Sequence, residues 1–207
     1  MYITQVTHRV HAPRAAVYRA LLDPEAVARW RAPDGMTAEV HSFEPREGGT
    51  FRISLTYDDP AYAGKSGEAT DTYHGHFAEL VPGERVVEVL AFETDAPGLD
   101  APMKLTTVLT DAPGAATDVH VTHENVPDAV PPADNETGTR MSLAHLARLV
   151  EAEPDLSPVR PRQAGGPDLR HGGGVASARP GAATASRARQ AARPPGPAPR
   201  RRSGESE

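Results

Sequence analysis

At 207 residues, with 38% hydrophobic side chains and a formal charge of −6, the chain has room for one ordinary domain and an appendage. The charge divides unevenly: residues 1–153 carry 12 basic and 24 acidic side chains and residues 154–207 carry 10 and 4, which argues against nucleic acid as a partner of the first segment. Without cysteine, disulfides, zinc–thiolate centres and cysteine nucleophiles are excluded together.

Residues 3–12 alternate Val6, His8 and Val10 against Thr7, Arg9 and His11, the period-two pattern of a half-buried strand, which Pro13 ends. Val17, Ala20 and Leu21 then recur at helical spacing. Asp23-Pro24 breaks that run and starts a second short helix, with the aspartate as N-cap and the proline at the first position. Met36 to about Tyr57 reads as two strands around a turn at Pro45 to Gly49, where Gly48-Gly49 is expected to supply positive φ angles. In the second strand Phe51, Ile53, Leu55 and Tyr57 share one face.

After a polar loop, residues 69–80 form the next strand. Val81-Pro82-Gly83-Glu84 suits a type II turn, and RVVEVLAFE continues as a strand. A last hairpin joins MKLTTVLT to TDVHVTHENV through Asp111-Ala112-Pro113-Gly114. Asp134 is expected to cap a long amphipathic helix whose apolar stripe is Met141, Leu143, Leu146, Ala147 and Val150. The expected class is therefore α+β: a curved antiparallel sheet of about seven strands, two short helices after the first strand, and a long C-terminal helix over a cavity. A helix cannot press against every strand of a strongly bent sheet, and the hollow that results favours apolar ligands.

The domain is expected over residues 1–153. Residues 154–207, rich in arginine, proline, glycine and alanine, contain no aromatic residue and only Leu156, Val159, Leu169 and Val175 as larger aliphatics, so they are expected to be disordered. Their composition, without lysine, is what a shifted reading frame in GC-rich coding sequence gives, and no function is expected of them; the alternative is an arginine-mediated contact with nucleic acid or with the acidic domain. The amino terminus has no charged start before an apolar stretch, and no run of about 18 apolar residues occurs, so a cytoplasmic protein without a membrane partner is expected.

TYHGHF, residues 72–77, raises a metal reading. On a strand His74 and His76 share one face and Tyr73, Gly75 and Phe77 the other, and the aromatic set has the better claim to the interior. A histidine pair at this spacing needs a third ligand, so the two are read as solvated outer-face positions and no metal site is assigned. By the same parity His8 and His123 face inward, where they either hydrogen-bond a ligand and move protons or are core histidines satisfied by neighbours. No P-loop, G-x-G-x-x-G, G-x-S-x-G or H-E-x-x-H is present, and no cofactor is indicated. Asp58-Asp59 reads as a solvated loop and Asp134 to Glu136 as a helix N-terminus.

Taken in order, Ala12-Pro13 with Val17, Asp23-Pro24, Ala28-Arg29-Trp30, Arg46-x-Gly-Gly with Phe51-Arg52, Gly75-x-Phe-x-Glu-Leu-x-Pro-x-Glu-Arg-Val, Thr122-His123-Glu124 and the terminal helix resemble the SRPBCC or START-like helix-grip superfamily. Within it they are most similar to the branch of the carboxy-terminal domain of the activator of Hsp90 ATPase, over about residues 2–153. The resemblance implies a cavity for a small hydrophobic or aromatic molecule. The candidate cavity positions are His8, Phe51, Ile53, Leu55, Tyr73, Phe77, Leu105 and His123 on the strands, with Trp30 and, from the terminal helix, Met141 and Leu146. The family often places tryptophan after the glycine of that helix; here Thr139 follows Gly138, which implies either more room in the hollow or a looser helix.

The resemblance carries over no catalytic motif. Ligand binding without catalysis is the leading reading. The alternatives are a polyketide cyclase or dehydratase-like enzyme using cavity histidines, and an interaction protein with a chaperone partner. A start at Met1, without the additional amino-terminal domain of the eukaryotic activator, counts against the last.

Overall fold

The computed structural model describes residues 1–152, so the tail expected over 154–207 lies outside the described residues. The chain runs β1 (Tyr2–Val10), α1 (Arg14–Leu22), α2 (Pro24–Trp30), β2 (Met36–Phe43), β3 (Thr50–Tyr57), β4 (Thr70–Val81), β5 (Arg85–Phe92), β6 (Met103–Ala112), β7 (Ala116–Val126) and α3 (Pro132–Ala152). The seven strands form one antiparallel sheet in the order β1-β7-β6-β5-β4-β3-β2. Because β1 and β2 are the two edges, α1 and α2 must carry the chain from one side of the sheet to the other. No helix among the described residues is long and apolar enough to cross a membrane.

Local chemistry accounts for the element boundaries. The Asp23 carboxylate accepts the Glu25 N–H at 2.9 Å and Pro24 opens α2, as the sequence predicts. In the turn after β4, Gly83 takes φ 72° and Glu84 N–H donates to the Val81 carbonyl at 3.0 Å, the type II geometry. Two expectations change. Only Gly48 of the glycine pair has positive φ, at 72°; Gly49 is small for a different reason, since a Cβ there would collide with the Glu44 carbonyl. And α3 starts before Asp134: Pro132 opens it, and the Pro131 carbonyl accepts from the N–H groups of Asp134 and Asn135, each at 3.1 Å. Asp134 thus lies within the first turn.

The inward faces of the strands and the apolar stripe of α3 form the core, with Val10, Val17, Val27, Phe51, Ile53, Phe77, Val119, Leu146 and Val150 fully buried. Each such side chain contributes about 1.5–3 kcal/mol of transfer free energy. Phe77 makes ring contacts with Phe43 and Phe51, both at 5.2 Å between centroids, so the β2–β3–β4 side of the sheet is closed by aromatic packing. Register shifts between Tyr2 and Thr4, Val40 and Ser42, and Phe77 and Glu79 bend the strands that carry them. Between the bent sheet and α3 lies a hollow.

Candidate ligand-binding site

The hollow has a volume of about 280 Å³. Its walls are apolar for the most part: Leu55, Tyr73, Leu90, Met103, Leu105 and Val121 project from the central strands, Trp30 comes from the end of α2, and Gly138, Thr139 and Leu143 come from α3. Hydrogen bonds hold α3 in place over it. Ser142 donates to the Arg31 carbonyl at 2.8 Å, and the His145 ring meets the Ala32 carbonyl at 2.9 Å and the Asp34 carboxylate at 2.8 Å. Thr139, where the resemblance leads one to expect tryptophan, lines the hollow and turns its hydroxyl back to the Asn135 carbonyl at 2.7 Å. The departure leaves room, and the helix around it remains regular.

One row of residues crosses the concave face. Strand register sets Thr4 beside His123, His123 beside Leu105, Leu105 beside Glu88, and Glu88 beside Phe77. With strands about 4.8 Å apart, His123 and Glu88 are held roughly 10 Å from one another across Leu105. Arg31 descends onto this row from the end of α2 and pairs with Glu88 at 3.2 Å, the two side chains being 13% and 5% exposed. Its guanidinium carbon lies 5.5 Å from the Trp30 ring centroid and 5.8 Å from that of Tyr73, between two aromatic faces that favour a cation.

The electrostatics of the cluster follow from that burial. Desolvation works against the charge on Arg31, but the Glu88 carboxylate and the Tyr73 oxygen outweigh it and hold the guanidinium well above its ordinary range, so it stays charged. Burial likewise raises the Tyr73 phenol against the opposing pull of Arg31, and the hydroxyl keeps its proton. That hydroxyl is buried with its oxygen against the Arg31 guanidinium, and its own proton finds no acceptor among the described residues.

For His123, burial comes first and lowers the pKa below the ordinary imidazole value. Arg31 adds to the effect, while Asn135 and Glu88 oppose it. Asn135 Oδ1 accepts from the Thr4 hydroxyl at 2.5 Å and lies 2.9 Å from His123 Nδ1. An amide oxygen only accepts, so the proton of the neutral ring is on Nδ1 and Nε2 carries the lone pair.

Of the positions expected to face the cavity, Trp30, Leu55, Tyr73, Leu105 and His123 line it. Phe51, Ile53, Phe77 and Leu146 point to the same side but are enclosed in solid core. His8 and Met141 are half-buried and lie off the cavity wall. β1 does pair with β7, but His8 faces Val119 and His123 faces Thr4, so about 13 Å of strand separates the two rings and they do not act together. His74 and His76 are exposed on the outer face, with His74 3.5 Å from Glu93, and no cluster of three potential metal ligands occurs among the described residues.

Arg31, Glu88 and Asn135 were not among the expected site residues. The signal for Glu88 is present in the sequence: in RVVEVLAF it is in phase with Val86 and Leu90, an acid at an inward position.

A seven-stranded antiparallel sheet that grips a long C-terminal helix is the helix-grip fold. Residues 11–151 match the family described as activator of Hsp90 ATPase homolog 1-like protein, about two thirds of the chain, and the chain belongs to that family. Among solved structures, protein CV1439 from Chromobacterium violaceum is 34% identical, with 72% of this chain and 96% of that one covered and a TM-score of 0.63. A Rhodobacter sphaeroides protein is 20% identical over 72% of this chain and 93% of its own, with a TM-score of 0.57. DynU16, a protein in the dynemicin biosynthetic locus, is 21% identical over 72% of this chain and 47% of its own, with a TM-score of 0.52. At those identities the last two show the fold alone. No curated protein matches the chain.

Proposed function

We propose that this protein binds a small hydrophobic or aromatic molecule in the hollow between the sheet and α3. The observation that carries the reading is the Tyr73 hydroxyl, a buried donor without an acceptor among the described residues, on the wall of a largely apolar cavity. Leaving such a group unpaired costs about 1–3 kcal/mol, which an occupant with an oxygen atom offsets. The volume lies near the lower end of ligand pockets, which run from about 300 to 1,000 Å³, and so suits one or two fused rings or a short chain. Native mass spectrometry of the gently purified protein, with identification of whatever it releases, tests the reading. A bound small molecule is expected; a protein that releases none and binds no hydrophobic fluorescent probe would overturn it.

A second reading has its own observation. His123 is neutral, holds its proton on Nδ1 through Asn135 and keeps the Nε2 lone pair, the state required of a general base. A neutral ring in this state would suit proton transfers of the cyclase or dehydratase type, and turnover lost in a His123→Gln variant that still binds ligand would favour it. A chaperone partner draws its support from the family description alone.

A further inference from the structure

Among the described residues, five charged side chains line the hollow: Arg31, Lys65, Asp71, Glu88 and Asp134. Four of them are paired with each other. Arg31 is bound to Glu88, and the Lys65 amine is bound to Asp71, which also accepts the Lys65 backbone N–H at 2.5 Å. Asp134 remains, exposed in the first turn of α3 where the helix dipole favours an acid. No cation on the wall therefore lacks an acid of its own, and the net charge facing an occupant is negative.

A carboxylate entering this site must leave water and then compete with Glu88 for Arg31, a loss that nothing offsets unless a new pair replaces the old one. An uncharged oxygen faces no such competition. It accepts from the Tyr73 O–H, with the field of Arg31 behind that group, and a hydroxyl proton on the same molecule can donate to His123 Nε2. The donor and the acceptor are on opposite sides of the Arg31–Glu88 pair, so an oxygen on the occupant can meet one or the other.

Building on the cavity reading above, we propose that the site selects uncharged lipophilic molecules carrying a hydroxyl or carbonyl oxygen and discriminates against carboxylates, with Glu88 setting that selectivity by neutralising Arg31. Glu88 thus acts as a specificity determinant through the arginine it pairs with.

Three probes of one ring size separate the parts of this claim: naphthalene, 2-naphthol and 2-naphthoate, titrated into the full chain at neutral pH by calorimetry. The expected order places 2-naphthol about tenfold or more tighter than either of the others, the return from one well-made buried hydrogen bond. Tyr73→Phe is expected to remove most of that advantage and bring 2-naphthol close to naphthalene. Glu88→Gln is expected to shift the preference toward 2-naphthoate, because it exposes the charge of Arg31.

Wild-type affinity for 2-naphthoate equal to or above that for 2-naphthol would overturn the charge selectivity while leaving the cavity reading in place. Equal affinity for 2-naphthol and naphthalene, unmoved by Tyr73→Phe, would overturn the oxygen recognition. Binding of none of the three would remove the cavity reading itself. If Glu88→Gln does not fold, the wild-type order and the Tyr73→Phe variant still decide the selectivity; if it folds with unchanged preference, the role given to Glu88 is wrong.

Discussion

Glu88 and Arg31 are each costly alone in this position and tolerable together. Breaking a buried ion pair by removing one partner leaves an uncompensated charge and typically costs about 3–5 kcal/mol, whereas replacing both with apolar groups is close to neutral. Urea denaturation of Glu88→Ala is therefore expected to show a loss of that size, and the double variant Arg31→Met with Glu88→Leu is expected to recover most of it. A Glu88→Ala protein as stable as the parent would show that water reaches the pair. His123 makes a prediction about pH. Its ring takes a proton near pH 6.5 in the unfolded chain and resists it when folded, so below that pH the unfolded state binds more protons and stability falls as acid is added. Melting temperatures between pH 7.5 and 5 are expected to fall less steeply for His123→Gln than for the parent; equal slopes would mean that the folded ring titrates freely.

Elements could be read from the sequence because their signals are local. Alternation in β1, the Asp23-Pro24 break and the Pro82-Gly83 turn each depend on residues within one or two turns of backbone, and each is where the pattern puts it. The start of α3 departs from the pattern for a local reason too, since a proline pair suits a linker as well as the first turn of a helix. What local pattern cannot convey is depth. Parity puts Phe51, Ile53 and Phe77 on the same face as Leu55 and Tyr73, but which of them meet the hollow depends on how Phe43, Phe51 and Phe77 close against one another. The Arg31–Glu88 pair spans 57 residues of chain and needs the finished sheet to be visible.

Gly75 shows the same limit. Parity puts it on the inward face with Tyr73 and Phe77 and gives no reason for its size, yet a methyl group there would meet the Phe51 ring at 2.7 Å, Leu90 Cβ at 2.9 Å and the Val89 carbonyl closer still. Replacing glycine by alanine in a strand gains about 0.5–1 kcal/mol of backbone entropy, but overpacking costs about 1–3 kcal/mol, so the steric effect wins. Gly75→Ala is expected to lower the denaturation midpoint, and an unchanged midpoint would show that β4 and β5 can part without cost.

At the scale of the whole molecule, the sheet and α3 are held apart at one end and packed at the other. Phe77, Phe51 and Leu146 are in the packed part; Gly138, Thr139 and Leu143 face the open part. Interiors normally fill their space to crystal-like density, and wall atoms without neighbours forgo dispersion energy that a fitting molecule restores. Binding and folding are thereby the same equilibrium seen from two ends. A ligand at a hundred times its dissociation constant adds about 2.7 kcal/mol to the folded state, a sizeable share of what marginal domains possess. On the proposed cavity reading, in a cell that degrades unfolded chains the amount of this protein rises and falls with the supply of the molecule it holds, and its abundance becomes a record of that supply.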